Sequence, residues 1–169
     1  MKTKRIVFLG FALCIALILS YIETLIPFGF GIPGIKLGLA NLIVLIIIYM
    51  DMPKEALMIS VARIILMGFL FGSLSSIIYA FAGGMLSFIC MYLLKRFNLF
   101  SAIGVSSFGG IMHNVGQLLV AAFIVKTNIF AFYFPYLLIS GLLTGLLIGI
   151  IGHTVVNRYS KYLNKWREA

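Results

Sequence analysis

The chain has 169 residues, of which 63% are hydrophobic and 10% charged, with a mean hydropathy of +1.17 and a formal net charge of +9. A soluble domain carries about 25% charged residues, so these values exclude a domain built for water and describe an integral membrane protein. The length supplies about six spans of roughly 20 residues with short connections, which makes a single all-α transmembrane domain over residues 1–169.

The opening MKTKR followed by IVFLGFALCIALILS has the outline of a secretory signal. Five further apolar segments follow it, so it is read as a retained first span. Leu13 before Cys14 stands where lipidation needs a small residue, so Cys14, like Cys90, is read as a packing residue. Runs between charges and helix breakers place spans near 6–24, 36–50, 54–72, 75–95, 107–125 and 135–157. The second has 15 residues and reaches about 22 Å, against about 30 Å of hydrocarbon. The preceding stretch, ETLIPFGFGIPGIK, must therefore share membrane depth with it. Pro27, Pro33 and the interspersed glycines break the helix there, while Phe28 and Phe30 are apolar enough to cover a cavity.

The basic residues set an expected orientation. With the N-terminus in the cytoplasm, ten of the 13 lysines and arginines, from Lys2 to Arg167, fall on the inner side. Lys36 and Lys126 fall outside, and Arg63 lies within a span. That bias follows the positive-inside rule, so both termini are expected inside and the net charge needs no nucleic-acid partner.

Polar groups at membrane depth are costly and mark interior or functional faces. Arg63 is the sharpest case, because the acids available to it are few: Asp51 and Glu55 belong to the inner turn and Glu168 to the tail. Either Glu23 pairs with Arg63 or a ligand serves it. His113, Asn114 and Gln117 lie within about 100° of one helix face, Tyr79 and Ser87 share a face of the fourth span, and Asn41 lies one to two turns inside the second. Lys36, Asn41, Arg63, Tyr79, His113, Asn114 and Gln117 are thus candidate ligand contacts. Each has a plainer use: interhelical hydrogen bonds for Asn114 and Gln117, a structural role for His113, and snorkelling to the interface for Lys36. The excess of cationic donors over Glu23 favours an anionic or acceptor-rich ligand. No metal site is expected, since His153 lies near the far end of another span and neither cysteine has ligand spacing.

Small residues recur at i+4 steps: Ala12, Ala16 and Ser20 in the first span, Gly68 and Gly72 in the third, and Gly141, Gly145 and Gly149 in the sixth. Such ridges let helices approach closely in lipid.

Six short spans, a Gly/Pro-rich outer loop after the first and the Ala-xxx-Ala ridge together resemble the substrate-binding S component of energy-coupling factor (ECF) transporters. The segments KLGLANL, FGSLSSIIYAFAGGMLSF and GGIMHNVGQLLVA are similar to the subgroup called Gx transporters, often labelled heptaprenyl diphosphate synthase component I. The resemblance implies a bacterial cytoplasmic-membrane protein that captures a vitamin or other micronutrient from outside. It implies docking through Ala12 and Ala16 onto a membrane coupling subunit, and a gating loop containing Pro27, Phe28, Phe30 and Pro33. It also implies two cytoplasmic ATPases that consume ATP, because this chain has no P-loop lysine motif. The synthase label implies Mg²⁺-diphosphate chemistry, which needs clustered carboxylates. Asp51 is the single aspartate, so the chain is not expected to be an enzyme. An accessory membrane role in isoprenoid or quinone metabolism is the alternative, and a channel is disfavoured because no polar stripe runs through to the inner side.

Overall fold

The computed structural model describes residues 2–25, 38–125 and 130–167. Lys36 and the gating-loop residues Pro27, Phe28, Phe30 and Pro33 lie outside the described residues. The described chain is all-helical: α1 (Lys2–Leu25), α2 (Asn41–Tyr49), α3 (Pro53–Phe71), α4 (Leu74–Arg96), α5 (Ala102–Val125) and α6 (Phe130–Arg167).

Local chemistry sets several of these boundaries. Asp51 takes a left-handed backbone (φ 58°) that ends α2, and Pro53 opens α3 at the first turn, where its missing N–H costs nothing. Ser73 caps α4 through the Ser76 N–H, and Ser76 Oγ returns the bond to the Ser73 N–H, a reciprocal capping box.

Four helices contain stretches long and apolar enough to cross a bilayer: Thr3–Leu25, Leu74–Arg96, Ala102–Ile124 and Phe134–Tyr159. The protein is therefore a multi-pass membrane protein, and its perimeter agrees. Phe11, Phe69, Phe123 and Leu147 all face outward, an apolar surface that suits lipid rather than water. The second element departs from its expected bounds of 36–50: α2 has nine residues and spans about 13.5 Å. Beyond Asn41 it is apolar, as a largely enclosed helix requires, and Val44, Leu45, Ile47 and Ile48 are each at most 1% exposed. The other helices form a ring in the order α1, α3, α4, α5, α6, with α2 inside it.

The core around α2 takes Ala12 and Ala16 from α1, Ala56 and Ile59 from α3, Met91 from α4 and Val105 from α5. This corrects the reading of Ala12 and Ala16 as a docking ridge. At 6% and 0% exposure they are sealed inside the chain's own core. The outward face of α1 carries Ile6, Val7, Phe11 and Ile18 instead.

Two ion pairs, Arg5 with Glu55 and Lys95 with Asp51, bring the start of α1, the α2–α3 turn and the end of α4 to one end of the bundle. The tightest packing lies between antiparallel α5 and α6. A Cβ on Gly141 would stand 2.7 Å from Gly110 O, one on Gly145 2.7 Å from Ser106 O, and one on Gly149 2.8 Å from Ile103 Cα. The obstacles are mostly backbone and cannot swing aside. Gly145→Val is thus expected to cost about 1–3 kcal/mol and to lower the thermal unfolding midpoint in detergent. Gly10→Ala, where a Cβ meets nothing within 4 Å, should leave the midpoint unchanged or slightly raised.

Candidate functional site

The polar residues gather around two cavities at the start of α2 rather than one. The smaller, of about 20 Å³, is lined by Gly38, Asn41, Ser87, His113, Asn114 and Thr144 among others. It has room for about one water molecule and is too small for a solute. The larger, of about 200 Å³, lies among α1, α3 and α4 and is lined on its polar side by Ser20, Glu23, Thr24, Arg63 and Ser76. Ile64, Met67, Phe71 and Ala80 supply its apolar side.

Gly38 stands between the two. It lines the smaller cavity, and its N–H donates to Glu23 Oε1, on the larger one, at 2.6 Å. Its backbone is left-handed (φ +70°), a conformation that glycine adopts without cost. The next turn leads directly into α2, with the Asn41 N–H bonded to Gly38 O at 2.8 Å.

Arg63 is the eleventh residue of α3 and reaches toward α1, where Nη1 donates to Ser20 Oγ at 3.3 Å. Its Nε is buried and has no hydrogen-bond partner among the described residues. A guanidinium carries five N–H donors, and Arg63 lines the larger cavity. Glu23 lines the same cavity, yet no Glu23–Arg63 ion pair forms among the described residues.

The fifth-helix residues divide. Asn114 is 4% exposed, and its Nδ2 donates to Leu137 O at 2.7 Å and Ser140 Oγ at 3.2 Å. This is an α5–α6 tie, the plainer of its two readings. His113 lines the small cavity, and Gln117 packs against Gly83 of α4 with its Oε1 buried and without a hydrogen-bond partner among the described residues. Tyr79, half-buried on α4, lines neither cavity. Ser87, on the same helix, has a buried Oγ with no hydrogen-bond partner among the described residues and lines the small cavity.

Ser20 and Thr24 belong to the larger site and were not singled out for it from the sequence. Their signal was present, since Ser20, Glu23 and Thr24 stand at i, i+3 and i+4, one polar face at the end of α1. Asn114→Ala should remove the α5–α6 tie and cost about 1 kcal/mol, read as a lower unfolding midpoint in the absence of any added solute.

A protein-family model described as heptaprenyl diphosphate synthase component I matches residues 12–155. No curated protein and no solved structure matches the chain.

Proposed function

The chain belongs to the heptaprenyl diphosphate synthase component I family, and we propose that it is a solute-capturing membrane component of an ECF-type importer. The observation that carries this reading is the cavity of about 200 Å³ lined by the half-buried, under-bonded Arg63. A cation at membrane depth without an ion-pair contact is expensive. A ligand that brings acceptor oxygens relieves that cost each time it binds.

In this reading the outer end of the bundle is the one holding Glu23 and Gly38, and the end stitched by Arg5–Glu55 and Lys95–Asp51 faces the bacterial cytoplasm with both termini. The bias of basic residues supports that orientation. ATP hydrolysis belongs to partners, a membrane coupling subunit and two ATPases, since the chain lacks a phosphate-binding P-loop. The chain itself is read as non-catalytic: Asp51, its single aspartate, and Glu55 are engaged by Lys95 and Arg5, a donor set that does not suit the Mg²⁺ of diphosphate chemistry.

The family's description favours a second reading, a non-catalytic accessory to a prenyl-diphosphate or quinone enzyme. Affinity purification from the native membrane separates the two: ATPase subunits in the eluate support import, whereas a prenyl synthase without ATPases supports the accessory role. Native mass spectrometry of the purified protein should reveal a co-purifying small molecule. Arg63→Ala should weaken its retention by roughly 30-fold or more, the equivalent of about 2 kcal/mol for a lost buried charge contact; undiminished retention overturns the site. A C-terminal alkaline phosphatase fusion should be inactive and a fluorescent-protein fusion bright, and the reverse pattern overturns the orientation.

A further inference from the structure

Arg63 and Glu23 face one cavity, and each is held by its own clamp rather than by the other. Ser20 Oγ takes Arg63 Nη1 on one side, and the Gly38 N–H takes Glu23 Oε1 on the other. Two opposite charges in a low-dielectric interior attract strongly, so a pair free to close would close. Both line the cavity without an ion-pair contact among the described residues, and the Arg63 Nε is unpartnered there. The second oxygen of Glu23 is likewise without a described bond partner.

We infer that the ligand of this cavity is a small zwitterion, its carboxylate or phosphate set against Arg63 and its ammonium against Glu23. The inference rests on reading the Arg63 cavity as a solute site and goes further by naming the ligand's second charge. A simple anion satisfies Arg63 and leaves the Glu23 carboxylate facing like charge. A simple cation does the opposite. A zwitterion satisfies both and enters with no net charge, which lowers the cost of leaving water.

Size narrows the class. A cavity of 150 Å³ accommodates benzene, and sites for drug-sized molecules begin near 300 Å³. At about 200 Å³ the enclosed part of the ligand has about six to ten non-hydrogen atoms, the scale of an amino acid. The apolar side formed by Ile64, Met67 and Phe71 suits a short hydrocarbon body between the charged ends.

The test uses the full-length protein in detergent and its unfolding midpoint. The zwitterionic probes, at millimolar concentration, are the standard α-amino acids, β-alanine and γ-aminobutyrate. The single-charge and neutral probes are butyrate, inorganic phosphate, butylamine and butyramide. At least one zwitterion should raise the midpoint by a few degrees, while its deaminated and decarboxylated counterparts do not. Glu23→Gln retains an oxygen for the Gly38 N–H, so its unliganded midpoint should stay near that of the parent while the zwitterion shift disappears. Arg63→Gln should abolish the shift as well, and Arg63→Lys should retain part of it. If butyrate or phosphate alone gives the full shift, lost in Arg63→Gln but kept in Glu23→Gln, the zwitterion is overturned and the Arg63 solute site stands. A zwitterion shift that survives both charge-removing variants comes from elsewhere on the protein and overturns the inference, as does the absence of a shift with every zwitterion.

Discussion

Helices in lipid have little hydrophobic reason to associate, so their backbones must come close enough for dispersion and hydrogen bonding to hold them. In this protein that requirement is met chiefly between α5 and α6, where Gly110 faces Gly141 and Gly145 and Gly149 nestle against Ser106, Ser107 and Ile103. The polar groups of α5 and the smaller cavity depend on that spacing. It brings Asn114 within reach of the Leu137 carbonyl, and through Gly83 and Gly116 it carries α4 in against α5. The smaller cavity is what remains at the join.

The larger cavity has a different origin. A short α2, apolar beyond Asn41, fills only part of the depth inside the ring. Above its start the Gly38 turn is tied to α1 through Glu23, and the space between α1, α3 and α4 is left to Arg63 and its neighbours. The core below is dense with Leu45, Ile47, Ile48 and Met50. One short element thus plugs one half of the bundle, and the larger cavity opens among α1, α3 and α4 beyond it.

Much of this was legible from residue order alone. Hydropathy located the helices, charge located the turn between α2 and α3, and the rarity of acids isolated Arg63 as a group without an obvious partner. The glycine ridge of the sixth span was also readable, because i+4 small residues signal close approach. What approaches is not written in the ridge. The similar run of Ala12, Ala16 and Ser20 was read as facing a partner protein and instead meets the chain's own α2 and α3. The polar set was read as one site for a related reason: periodicity assigns a residue to a face of its helix but leaves open which neighbour that face meets. Arg63 on α3 and His113 on α5 are separated by α4, a fact that only the order of helices around the ring supplies.

The make-up of α2 and α3 bears on how the chain enters a membrane at all. α2 covers less than half the hydrocarbon thickness, and α3, with Lys54, Glu55 and Arg63 in 19 residues, is not among the helices apolar and long enough to cross unaided. Neither is a self-sufficient insertion unit. During biogenesis both must be drawn into the bilayer by the strongly apolar α1 ahead of them and α4 behind. At membrane depth Arg63 then meets Ser20 of α1 rather than bare lipid.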